Sequence, residues 1–132
     1  MSQGGHVYNR GAPAVLTITQ SWYHKRLSRE DANKRLKAIN TNNSFLVRES
    51  TKESGKLVLS VKNCDEFYHF HIERGIGSYQ VEGTDEPFSS VVELVDHYKQ
   101  FGLPESDSGK VILLESPCVP DDSPIDSKYY SL

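Results

Sequence analysis

The sequence predicts an α+β fold, a central antiparallel sheet with one helix on each face, and three observations lead there. Two serine-headed capping boxes, near residues 28 and 90, each open a helical recurrence of apolar residues. Between them lie four apolar runs at about 45–49, 57–62, 67–73 and 79–82. The stretches between these runs are short and turn-rich ("ESTKESG", "NCDE", "RGIGS"), which calls for hairpins.

Taken in order, residues 1–21 read as an arm or linker. The first fourteen are Gly-rich and polar, and "VLTIT" (15–19) suits either a short strand or more of the arm. Ser28 with Asp31 caps the first helix, whose Ala32, Leu36 and Ile39 share a face. Arg29 lies three residues before Ala32 and is expected to project inward with it. "KLVLSVK" (56–62) is apolar on both faces, as befits a central strand covered on both sides. Ser90 with Glu93 caps the second helix, with Val91, Val95 and Tyr98 turned to the core. The domain is expected to span 22–118, with Trp22 as packing at its start and 119–132 as a tail.

The 132 residues suffice for one core, and 36% apolar with 25% charged residues are the proportions of a soluble globule. A net charge of −3 argues against a broad nucleic-acid or anionic-membrane surface. The longest strongly apolar run is Val111 to Leu114, so no membrane insertion, signal peptide or lipidation motif is expected. Cys64 and Cys118 form no CxxC, and a reduced, cytoplasmic monomer is expected.

The chemistry concentrates in "SFLVRES" (44–50), where Arg48 ends an apolar run. A buried guanidinium cannot shed its proton, so either an internal acid neutralises it or an external anion does. Ser50, Thr51 and Lys52 follow directly and supply the hydroxyls, cation and turn amides that a phosphate needs. A second inward arginine, Arg29, shifts the weight toward an external anion, because the strands offer few acids. In "YHFHI", alternation puts His69 and His71 on one face and Phe70 on the other. The HxH pair lacks a third ligand at metal spacing, so no metal or other cofactor is expected; imidazoles bordering an anion pocket fit better. Enzyme signatures fail in turn. Cys64 has no arginine six residues on, "GLPESDSGKV" has six residues between its glycines where a Walker loop has four, and GxSxG and HExxH are missing.

Arg48 in "SFLVRES", with "WYHKRLSREDANKRL" before it and "FSSVVELVDHYK" after it, resembles the Src homology 2 (SH2) domain family over roughly Trp22 to Cys118. The resemblance implies a non-catalytic module that binds extended phosphotyrosine peptides of tyrosine-phosphorylated proteins across the sheet edge. Arg48 then matches the arginine that forks the phosphate, and Arg29 the first-helix arginine. Ser50, Thr51 and Lys52 match the phosphate-binding loop, and His69 the histidine beside the phosphotyrosine. His71 stands where many members carry Lys, and Lys25 where Gly is common. The resemblance implies a second pocket, reading residues after the phosphotyrosine, around Phe70, Glu82, Gly83, Thr84, Tyr98, Gly102 and Leu103. Acids at Glu82, Asp85, Glu86, Glu105 and Asp107 imply an apolar or mixed preference there, with reluctance toward acidic residues. The alternatives are the same fold binding phosphoserine or unmodified peptide, and, less well supported, an HxH- or Cys64-based hydrolase. Tyr8, Tyr129 and Tyr130 are candidate phosphorylation sites, though inert tail tyrosines are the better reading.

Overall fold

The computed structural model describes residues 15–105 and 108–120. A helical turn, α1 (Val15–Ile18), precedes β1 (Tyr23–Arg26), α2 (Arg29–Ile39) and β2 (Ser44–Glu49). Then come β3 (Leu57–Asn63), β4 (Glu66–Gly75), β5 (Ser78–Val81) and α3 (Val91–Phe101). Three two-residue strands, β6 (Leu103–Pro104), β7 (Val111–Ile112) and β8 (Ser116–Pro117), complete the order.

β2, β3, β4 and β5 pair antiparallel in chain order, the expected hairpins. Two short strands add parallel pairings to this expected antiparallel centre, so the sheet as a whole is mixed. β8 joins β2 in parallel at Ser44 and Phe45, and β1 joins the same edge in parallel at Val47 and Glu49. α2 is the crossover that makes the β1 pairing possible. The "VLTIT" segment is a helical turn and not a strand: Gln20 N–H closes onto Thr17 O and Tyr23 N–H onto Gln20 O, both at 3.1 Å.

Both predicted caps form. Ser28 Oγ accepts from Asp31 N–H at 3.0 Å, and Ser90 Oγ accepts from Glu93 N–H at 3.1 Å. These bonds satisfy amides that the first helical turn leaves without partners. α2 stops where Asn40 takes the left-handed conformation, φ 47°. Ile39, expected to face the core, is 41% exposed instead, because that last turn has run past the packed face.

Strand alternation gives the sheet two unlike faces. Toward α3 point Phe45, Val47, Leu59 and Val61, which pack with Leu94 and Val95 into the main core; Trp22 is buried there too. Toward α2 the apolar cluster is smaller: Leu27, Ala32, Leu36, Leu46 and Cys118, flanked by Phe67. Buried His24 ties this side together. Arg35 Nη1 donates to its Nδ1 at 2.8 Å, so its Nε2 carries the proton and donates to the Cys118 carbonyl at 2.5 Å. Lys25, next to it, has φ 60°, a conformation that only glycine adopts without cost. Cys64 is exposed and Cys118 buried, both as thiols.

Candidate functional site

The register of the sheet assembles the site on the α2 face. Cross-strand pairing sets Leu46 beside Ser60 and His69, and Arg48 beside Val58 and His71, so Arg48, Ser60, His69 and His71 share one surface. Arg48 is only 5% exposed. Its Nε–H donates to Ser60 Oγ at 3.0 Å, Nη1 donates to the Leu27 carbonyl at 3.0 Å, and Nη2 approaches His69 Nδ1 at 3.4 Å. A guanidinium has five N–H donors. Among the described residues three are thus engaged, and one remains on each terminal nitrogen.

Among the described residues no acid forms an ion pair with this charge. The ion pairs among the described residues are Lys34–Asp31, Lys56–Glu53 and His97–Glu86, and none includes Arg48. Neighbouring Glu49 accepts from Gly55 N–H at 3.1 Å. Burial holds the Arg48 guanidinium below its ordinary range, the like charge of Arg29 adds to this, and Glu30 opposes it. The group stays protonated, so among the described residues it is a buried cation without an ion-pair partner.

His69 is not a cation here. Burial, then the charges of Arg29, Arg48 and His71, push its pKa from 6.5 down to about 4. Both of its ring nitrogens are engaged, Nδ1 with Ser60 Oγ at 2.8 Å and Nε2 with Asn33 Oδ1 at 3.0 Å. His71 is exposed at the rim. Among the described residues no three His, Cys, Asp or Glu side chains gather as a metal site.

Two expected donors behave differently. Arg29, expected to point inward, is exposed at the first position of α2, and reaches Arg48 and His69 through its charge. The amides of the β2–β3 turn were expected to be offered outward. Those of Lys52 and Glu53 instead donate to Ser50 Oγ at 3.0 and 3.1 Å, which buries Ser50 and leaves its own O–H as the donor. Thr51 and Lys52 are exposed beside it, and Arg26 Nη2 holds the turn through Thr51 O at 3.4 Å.

A second concavity, a cleft of about 610 Å³, opens between the segment after β5 and the end of α3. Of the seven residues expected at a second pocket, Thr84, Tyr98 and Gly102 line it. Leu103 is wholly buried in the core, and Phe70 packs half-buried against that core. Glu82 and Gly83 stand in the exposed turn after β5 and are not part of the cleft wall. Gly102 has a reason to be glycine: at φ 80° and ψ 157° it occupies a region nearly closed to other residues, and a Cβ would come within 2.4 Å of Val111 Cγ1. Of the acids expected there, Asp85 and Glu86 line the cleft. Glu105 instead folds back on Ser108, accepting from its N–H at 2.9 Å and its hydroxyl at 2.7 Å. Asp107 lies outside the described residues, as do Tyr8, Tyr129 and Tyr130.

Sequence reasoning missed Ser60 and Asn33 at the first site and His97 and Phe101 at the second. Two signals were available. Ser60 is the polar interruption of "KLVLSVK", and Asn33 follows Arg29 by four residues, hence on the same helical face.

The SH2 domain model matches residues 22–98, more than half of the chain. This chain belongs to the SH2 domain family. SH2 domains bind phosphotyrosine-bearing proteins and are not catalytic. The chain is 39% identical over 99 residues to the tyrosine-protein phosphatase corkscrew of Drosophila melanogaster, covering 75% of this chain and 12% of that protein. It is 36% identical over 106 residues to SHC-transforming protein homolog 1 of Caenorhabditis elegans, covering 79% and 32%. It is 34% identical over 104 residues to the human dual adapter for phosphotyrosine and 3-phosphotyrosine and 3-phosphoinositide, covering 79% and 36%. The SH2 chain thus spans about a third of two of these relatives and about an eighth of the other. Among its described residues no helix is long and apolar enough to cross a membrane.

Proposed function

We propose that this SH2 domain is a cytoplasmic, monomeric adaptor module, or part of a larger signalling protein, that recognises phosphotyrosine in extended peptides without binding nucleic acid. Arg48 is the phosphate ligand, Arg29 and Lys52 flank the incoming dianion, and Ser50 and Thr51 add hydroxyl donors. His71 is a weak contact at the rim, and His69 borders the ring.

The observation that carries this reading is the buried Arg48 fork, with no acid paired to it among the described residues and one donor left over on each terminal nitrogen. A phosphate with nearly two negative charges completes that arrangement, whereas a tyrosine hydroxyl brings no charge to offset desolvating the site. The depth of the fork also favours a phosphate on a long, rigid ring over the short arm of phosphoserine. Two charge-assisted hydrogen bonds at about 1.5–3 kcal/mol each imply at least ~100-fold weaker binding without them. The second cleft, walled by Tyr98, Phe101, Pro87 and Val111 with Asp85 and Glu86 among its lining, takes an apolar or mixed side chain after the phosphotyrosine and disfavours an acidic one.

Calorimetric titration with a degenerate phosphotyrosine peptide pool, its unphosphorylated copy and a phosphoserine copy tests the reading. Tight binding of the first pool alone is expected. Equal binding of all three would transfer the site to the unmodified-peptide alternative, and preference for the phosphoserine pool to the other.

A further inference from the structure

We propose that Asn33 is a positioning residue for the phosphate site: it fixes the His69 ring in one tautomer, and through Ser60 that tautomer aims the Arg48 fork. The inference rests on reading Arg48 as the phosphate ligand.

The chain of donors runs one way. Asn33 Oδ1 can only accept, so His69 Nε2, 3.0 Å away, must carry a proton and donate it. In a neutral ring the other nitrogen is then bare. Nδ1 accepts from the Ser60 hydroxyl at 2.8 Å and faces the Arg48 Nη2 donor at 3.4 Å. With its proton turned to Nδ1, Ser60 Oγ presents lone pairs to Arg48 Nε–H at 3.0 Å. Nε and Nη2, the lateral edge of the guanidinium, are thereby held by protein, and Leu27 O takes one Nη1 donor. One donor on each terminal nitrogen is left to turn outward. In the opposite tautomer an Nδ1–H would face the Nη2–H, donor against donor, and push the guanidinium out of line.

The neutral state that this order requires is favoured by everything that faces the ring. Arg48 comes from β2 and Arg29 from α2, His71 from β4, while Ser60 on β3 and Asn33 on α2 are uncharged. No acid faces it among these. Asn33 is therefore the group that selects the tautomer, from a helix rather than from the phosphate-binding strands, and His69 acts on the phosphate through Arg48.

Long-range nitrogen–proton spectra of the ¹⁵N-labelled, ligand-free chain read the ring directly. At pH 7 the wild type is expected to carry its His69 proton on Nε2. Asn33→Leu is expected to lose that single tautomer and to weaken phosphotyrosine-peptide binding about 3- to 10-fold, the share of one hydrogen bond. Asn33→Asp keeps the acceptor, so Nε2–H persists and the ring titrates at higher pH. Lys37→Leu, an exposed change one turn along α2, is expected to alter neither. A wild-type proton on Nδ1 overturns the proposal, as does an Asn33→Leu chain with unchanged tautomer or unchanged affinity. The two levels separate cleanly. A wild type that binds phosphorylated and plain peptides equally sinks the phosphate reading itself, whereas a phosphate-dependent wild type beside an indifferent Asn33→Leu sinks the relay alone.

Discussion

The two faces of the central sheet are built from the same strands and share almost no chemistry. Phe45, Val47, Leu59 and Val61 meet Leu94 and Val95 toward α3 without a charge among them. One residue along, the same strands turn Arg48, Ser60 and Lys62 toward α2, all buried. Lys62 is satisfied locally, donating to the Cys64 carbonyl at 2.8 Å, while Arg48 is left with donors to spare. The period of two lets one strand serve both purposes, because burial on one side supplies stability that the other side can then forgo. Local cost at a binding site supported by packing elsewhere is a familiar arrangement.

Breaking the α3 face should have the largest effect on stability. Leu94→Ala removes a wholly buried side chain and is expected to cost about 2–5 kcal/mol in urea unfolding, with phosphopeptide affinity of the folded fraction unchanged. Arg48→Met tests the other face, with the pattern reversed. Affinity falls at least ~100-fold, while the ligand-free domain is no less stable, since a buried charge has been removed. Gly102→Ala strains the turn that closes the second cleft, and a thermal scan should show a loss of about 1–3 kcal/mol.

Smaller effects sharpen the contrast. The folded His69 pKa lies near 4, below the ordinary 6.5, so the unfolded chain binds more protons between those values. Stability from this group is complete above pH 6.5 and is lost as pH falls toward 4. Denaturant midpoints should decline across that window, and less steeply in His69→Gln. Lys25→Gly relieves the residue at φ 60° and should add about 0.5 kcal/mol, measurable as a small rise in midpoint.

Much of this was legible in the sequence because it depends on local rules. The two serine caps, the hairpin order of β2 to β5 and the facing of Arg48, His69 and Phe70 follow from spacing alone. β1 and β8 were missed because their few residues show no alternation and their pairing to β2 is set by distant chain. Arg29 and Ile39 follow the helical period, yet lie at the first and last positions of α2, where a residue can keep its phase and still clear the packed face. The turn amides turned inward because Ser50 captures them, a choice among competing hydrogen bonds that composition does not reveal. The relay from Asn33 needs three strands and a helix in register before any of its bonds exist.

The most direct test of this division of labour is the thermal midpoint of wild type and Arg48→Met, each with and without saturating phosphotyrosine peptide. The predicted result is a clear ligand-induced rise in the wild type, little or none in Arg48→Met, and ligand-free midpoints in which the variant equals or exceeds the wild type. A variant that is strongly destabilised without ligand, or that is stabilised by the peptide as much as the wild type, would contradict the account: Arg48 would then belong to the scaffold and not to the ligand.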